Sequence, residues 1–506
     1  LSKGFQLGQR ASGVLMHPTS LPGPHGCGDL GPQATRFADF LADAGQRAWQ
    51  MLPINPADKH GCPYSAYSSF AGDPILVSLQ TLYQDGLLKR AEVAALNWGH
   101  PTKIDYIATR RFRESRLRLA FQRYMAKPPR SRGVIDRFTD KHKDWLDDWT
   151  LFCALRKAHH GKPWWKWTPG MRQRRKIDLS CARRELAEEI GYHAFVQFQF
   201  DRQWSAMKRY CESKNIGLIG DIPIFVAHDS CDVWANPKLF QLNADGTPKV
   251  ISGAAPDAFS KTGQVWKHPL YDWRRHKGTG YAWWVSRFKQ CLTQFDAVRI
   301  DHFLGFCRYW EVPAGDRTAK RGKWRKGPGA DLFNVLKKKL GDVPVIAEDL
   351  GLLTPEAEAL RDQFAFPGMR VLQFAFGNDD SYHAPHNYPA CSVVYTGTHD
   401  NDTARGWFLK ADRKAKKGEI SERQRALSYT GGTPKTIHWD MIRLALSSAA
   451  DTAIFPVQDL LGLGNEAKMN LPGTLKGNWQ WRLKPGQLTR PLAKKLAQEV
   501  RLYGRQ

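Results

Sequence analysis

Three places in this 506-residue chain set carboxylates directly after a short apolar stretch. Ala297-Val298-Arg299-Ile300 ends in Asp301-His302, and Val343-Pro344-Val345-Ile346-Ala347 ends in Glu348-Asp349. Ser392-Val393-Val394-Tyr395-Thr396-Gly397-Thr398 ends in His399-Asp400-Asn401-Asp402. A buried strand favours apolar residues, so an arginine inside one and acids and imidazoles at its end call for a reason other than packing. Each acid alone reads as a strand-end cap or a satisfied ion pair. Three on one rim read as a catalytic set, because the carboxyl ends of the strands form the active-site face of a parallel barrel.

The elements that must hold them follow the same rhythm. Ser12 to Met16 reads as a strand, Pro32 to Ala44 as a helix with Phe37, Phe40 and Leu41 on one face and Gly45 as its stop, and Trp49 to Pro53 as a second strand. That βαβ opening predicts a parallel sheet. Ile216 to Gly220 is the third strand, ending in Asp221, and the three acid-tipped strands are the fourth, fifth and seventh. Gly368 to Phe374 and Ala453 to Val457 fit the sixth and eighth, which makes the fold class α/β, a (β/α)8 TIM barrel with large inserted, mostly helical subdomains.

Residues 1–56 begin the barrel, 186–234 bring the third strand, and 291–506 supply the remaining strands and a basic terminal helix over 483–506. Residues 57–185 read as an insertion: a rim loop with Tyr64 and Tyr67, then a Lys-, Arg- and Trp-rich helical stretch marked by Trp145, Trp149, Phe152 and Leu155. Residues 235–290, rich in Gly, Pro and Trp, are too long for a plain connection and are expected to form an active-site loop.

Hydrophobic residues make up 42% and charged residues 25%, an ordinary globular balance with no run long enough to span a bilayer. The nine cysteines include no CxxC pair, so neither a zinc site nor a disulfide framework is indicated, and reduced thiols in a cytoplasm are expected. Leu1 to Leu7 is too short and polar for a signal-peptide core; a removed leader would make an organellar stroma the compartment. No Walker or Rossmann loop occurs, and no cofactor is expected. The net charge of +26 would attract nucleic acid, anionic surfaces or acidic partners without specificity, or simply solvate the surface. Trp164, Trp165 and Trp167 among lysines read either as a stacking surface for bases or as helix packing.

DAVRIDHFLGF, VIAEDLG and YTGTHDNDT resemble motifs of the 4-α-glucanotransferases, also called amylomaltases or disproportionating enzymes, of the α-amylase clan. The likeness runs through nearly the whole chain. It includes GVLMHPTSLPGPHGCGDLG at 13–31, PYSAYSSFAGDP at 63–74, GLIGDIPIFVAHDSCDVWANPKLF at 217–240, GAAPDAFSKTGQVWKHPLYDW at 253–273 and MNLPGTLKGNWQWR at 469–482. The resemblance implies retaining transfer of α-1,4-glucan segments between maltooligosaccharides or starch- and glycogen-type chains, with release of glucose. It further implies no metal, no specific nucleic acid, no membrane, and a monomer or weak homodimer.

The same resemblance makes Asp301 the nucleophile, Glu348 the acid/base and Asp400 the stabiliser of the transition state. His399 would donate to the same sugar ring, Asp221 would fix its C4 and C6 end, Tyr64 would stack on it, and Asn470, in a closing loop over 465–482, would contact sugar. The HGKPWWKW pattern favours packing for the tryptophans.

The residues supply a reason for two carboxyl roles. Arg299, two residues before Asp301 and on the same face of the strand, would keep that carboxylate ionised, while the apolar run before Glu348 would raise its pKa towards a proton donor. In Gly253 to Trp266, Phe259 and Trp266 are expected to cover the covalent intermediate and stack on passing glucan; the alternative is a connection whose aromatics anchor it. Three rival functions remain at this point. One is an α-glucan hydrolase of the same clan. A second is a metal-dependent barrel hydrolase, for which only His17 stands where His-x-His would be expected. The third is a basic nucleic-acid-binding or scaffolding protein.

Overall fold

The computed structural model describes every residue except 1–4, 97–98, 129–132, 257–259, 352–353, 378–380, 412–419 and 475. Eight short strands close into a parallel barrel: β1 (Ala11–Leu15), β2 (Ala48–Gln50), β3 (Gly217–Pro223), β4 (Ala297–Asp301), β5 (Val345–Ala347), β6 (Gly368–Val371), β7 (Ser392–Tyr395) and β8 (Thr452–Pro456). Each overlaps a stretch the sequence predicts, with ends displaced by a few residues. Closure pairs β1 with β8, Ala11 facing Thr452 and Leu15 facing Pro456, so the barrel has no free edge. At the β1–β2 contact a Cβ on Gly13 would lie 2.7 Å from the Cβ and carbonyl oxygen of Ala48, an approach only glycine allows.

Helices pack around the barrel for reasons visible in the chain. Pro32–Asp43 starts on proline, buries Phe37, Phe40 and Leu41, and gives way to Gly45 in the left-handed region at φ 68°. Ala187–Ser213 buries Phe195, Phe200 and Trp204, with Phe198 half-buried. The connection from β6 to β7 has two 3-10 turns, Leu372–Phe374 and Pro385–Asn387, and no α-helix among its described residues.

Between β2 and β3 lie the inserted helices, chief among them Tyr106–Met125 and Gly133–Ala158. Trp164 and Trp167 are buried there, their indole N–H groups donating to the carbonyls of His228 and Lys162 at 2.7 and 2.9 Å, and Trp165 stacks on His228 at 3.8 Å. These tryptophans are packing residues, not a platform for bases.

The expected long loop over 235–290 is corrected by the structure. It contains two strands, Val250–Ala254 and Gln264–Pro269, which join Arg308–Pro313 and Lys323–Lys326 in a four-stranded antiparallel accessory sheet. Ile251, Val312 and Ala319 form a small core of their own on it, flanked by Val265 and Trp310.

At the amino-terminal face of the barrel, Arg505 is fully buried. Its guanidinium donates to the carbonyls of Ala11, Leu446, Ser448, Ala450 and Asp451 at 2.6 to 3.1 Å, joining the start of β1 to the segment that leads into β8. Among the described residues no helix is long and apolar enough to cross a membrane.

Candidate active site

Strand register assembles the acids. Asp221 lies opposite Arg299 in the β3–β4 ladder and Ile300 opposite Ala347 in the β4–β5 ladder, so Asp301 and Glu348 leave neighbouring strands one step later. Arg299 Nη1 donates to both oxygens of Asp221, at 2.9 and 2.8 Å, and Nη2 donates to Asp301 Oδ1 at 3.0 Å. The side chain of Asp221 has 0% exposure and that of Asp301 has 31%, so one arginine joins a sealed carboxylate to one that opens into the cleft. Burial alone would make Arg299 easier to deprotonate, but the flanking Asp221 and Asp301 reverse that and raise its pKa well above the usual value.

Glu348 occupies a different electrostatic setting. Burial pushes its pKa up to about 8, with Arg299 opposing and the charge of Asp301 adding to the rise. Both carboxyl oxygens are held by backbone: His302 N–H donates to Oε2 at 2.6 Å and Leu350 N–H to Oε1 at 3.1 Å. His302 can aim its N–H there because it adopts φ 54°, a left-handed conformation costly for a residue with a Cβ.

The end of β7 closes the other side. Tyr64 donates to Asp221 Oδ2 at 2.6 Å, and its hydroxyl lies 2.9 Å from His399 Nε2. Since the one phenolic proton goes to the carboxylate, His399 Nε2 is the donor in the second bond. The two rings stack at 5.2 Å and 16°, and Trp479 leans on both at 5.6 and 5.9 Å. Asn470 donates its amide to Asp400 Oδ1 at 2.6 Å.

Asp301, Glu348, Asp400, Arg299, His399, Asp221, Tyr64 and Asn470 thus gather at the carboxyl ends of the strands. Trp266 joins them, half-buried with its ring edge-on to His302 at 4.9 Å, although it stands on the strand Gln264–Pro269 and not in an arching loop. Phe259 lies outside the described residues. The expected sugar contact of Asp221 is corrected in this conformation: with no exposed side-chain surface and both oxygens engaged, it is a partner of Arg299 and Tyr64. Tyr64 likewise has one ring face taken by His399.

Sequence reasoning missed Trp479, the backbone N–H of His302, and His268, whose pKa burial lowers to about 4 against the opposing charge of Asp301. Trp479 falls inside a quoted motif, but an aromatic in an aperiodic loop carries no signal of its own. Among the described residues no three His, Cys, Asp or Glu side chains gather as a metal-holding group.

Comparison with known proteins agrees over the length of the chain. A family described as 4-alpha-glucanotransferase matches residues 16–489. The 4-alpha-glucanotransferase of Synechocystis sp. is 45% identical over 99% of each chain, and that of Thermus thermophilus is 46% identical over 95% of this chain and 96% of the other. The amylomaltase of Streptococcus agalactiae, solved in complex with acarbose, superposes with a TM-score of 0.94 at 35% identity, covering 98% of this chain and 100% of that one.

Proposed function

Because the chain belongs to the 4-α-glucanotransferase family, we propose that its transfer runs by double displacement between Asp301 and Glu348. It is a transglycosylating enzyme acting on α-1,4-glucans and maltooligosaccharides. One observation carries the assignment of roles: two carboxyls on adjacent strand ends stand in opposite settings, Asp301 paired with Arg299 and Glu348 half-buried with its pKa raised to about 8.

In the first displacement a carboxylate oxygen of Asp301 attacks the anomeric carbon, the bond from that carbon to the bridging oxygen breaks, and the proton of Glu348 goes to the departing oxygen. A glucosyl ester on Asp301 remains. In the second, the 4-hydroxyl of an incoming glucan gives its proton to Glu348 and attacks the same carbon, releasing Asp301. Asp400, 42% exposed at its side chain, faces the cleft as the group that stabilises the oxocarbenium-like state, with the His399 ring beside it. Arg299, Asp221 and Tyr64 hold the nucleophile and His399 in place. Trp266 covers the ester and favours a glucan acceptor over water.

Nine free thiols suit a reducing compartment, the cytoplasm or an organellar stroma. The decisive experiment is incubation with maltotriose and separation of the products. A ladder of longer oligosaccharides plus glucose, with little net gain in reducing ends, is expected; a gain matching substrate loss would make the enzyme a hydrolase.

A further inference from the structure

A neutral substrate does not account for the charge of this chain, and the accessory sheet concentrates part of it. Six of the ten residues from Arg317 to Lys326 are Lys or Arg and none is acidic. Arg321 pairs with Asp316 and Arg325 with Glu311, whereas Arg308, Arg317, Lys320 and Lys326 make no ion pair with any described residue. Glu356 lies near enough to Arg308 to be influenced by its charge, without forming a pair.

Register decides which of these share a face. Arg308 stands opposite Lys326 and Trp310 opposite Trp324, so all four project to one side. That side carries the small core of Ile251, Val312 and Ala319, while Tyr309 on the other side meets Phe225 at 6.4 Å. The outer face therefore points away from the barrel. Trp324 is 37% exposed there, braced by the edge of Trp310 at 5.1 Å and by the guanidinium of Arg308 at 4.4 Å.

We propose that this outer face anchors α-glucan chains carrying phosphate monoesters. An exposed indole matches the C–H-lined face of a pyranose, and the surrounding cations match a dianionic ester. Single-stranded nucleic acid is the poorer fit, since it is held by successive stacking platforms and one indole is open here. The surface rests on the glucan-transfer reading above: three strand spacings, about 14 Å, separate the strand of Trp324 from that of Trp266. A polymer anchored on the outside thus raises the local concentration of its own chain ends at the cleft. A short neutral oligosaccharide gains nothing from it.

The test compares binding of the full chain to a phosphate-bearing amylopectin and to the same preparation after phosphatase treatment. Roughly tenfold tighter binding to the phosphorylated form is expected, shrinking at high salt. Trp324→Ala and the double variant Lys320→Gln, Lys326→Gln should abolish the difference while maltotriose transfer stays at the wild-type rate. Equal binding before and after phosphatase treatment of the glucan overturns the proposal, and this comparison on the wild type stands even if a variant fails to fold. A preference for oligo(U) over the phosphorylated glucan also overturns it. Absence of maltotriose transfer by the wild type would instead refute the reaction.

Discussion

The side-chain amide of Asn470 donates to Oδ1 of Asp400 at 2.6 Å, while the backbone N–H of Asn470 donates to the carbonyl of His399 at 3.1 Å. The closing loop and the end of β7 are therefore one unit. Lys468 on the same loop adds an ion pair with Asp402 at 3.0 Å. The carboxylate that faces the cleft is aimed by a residue the sequence assigned to sugar.

Asn470→Ala should then act on catalysis more than on binding. A hydrogen bond to a charged group is worth about 1.5–3 kcal/mol, so kcat should fall roughly 10- to 100-fold with a smaller change in KM. Steady-state kinetics on maltotriose would measure this, and a loss below about twofold in kcat would show that Asp400 needs no such support.

Asp301→Asn should retain the fold and bind glucan yet lose transfer by roughly 10⁴-fold, because an amide cannot form the ester. Activity above about a tenth of wild type would remove Asp301 from the role of nucleophile.

Glu348 makes pH a probe of both rate and stability. Its pKa rises from 4.5 to about 8 on folding, so between those values the native state holds a proton the unfolded state has released. The stability contribution is complete below about 4.5 and is lost as pH rises through about 8. Urea melts at about pH 5 and about pH 9 should show this slope in wild type and its loss in Glu348→Gln. The kcat/KM profile of the wild type should fall on its alkaline side near the same pKa. Glu348→Ala should be rescued for donors whose leaving group departs without a proton, and no rescue would count against it as the acid.

Trp266→Ala should raise the ratio of hydrolysis to transfer on maltotriose several-fold, without lowering thermal stability by more than a half-buried side chain costs. An unchanged ratio would mean that water is excluded by something else.

The barrel was legible because each of its strands is an apolar stretch bounded by turn residues, and because a charge at the end of such a stretch has few structural uses. The accessory sheet was not legible. Lys323-Trp324-Arg325-Lys326 has three cations in four residues, and Gln264–Pro269 ends in proline and pairs through a register shift, so neither shows the alternation that marks a half-buried strand. The partners of the site were hidden for a different reason. Tyr64 meets Asp221 across 157 residues and Asn470 meets Asp400 across 70. Local spacing predicts that a strand ends in an acid, but which side chain arrives from elsewhere to orient that acid is a property of the closed barrel.

Arg505 gives the barrel a temporal order. All eight strands have been synthesised by Pro456, yet the carbonyls at the seam of β1 and β8 receive this guanidinium only after a further 49 residues have emerged. A nascent chain can pair its first and last strands before then, but the Ala11 and Asp451 carbonyls at that seam still lack this guanidinium's hydrogen bonds. The set of contacts that fixes the seam, beneath acids contributed by strands far apart in sequence, is complete only once residue 505 has been added.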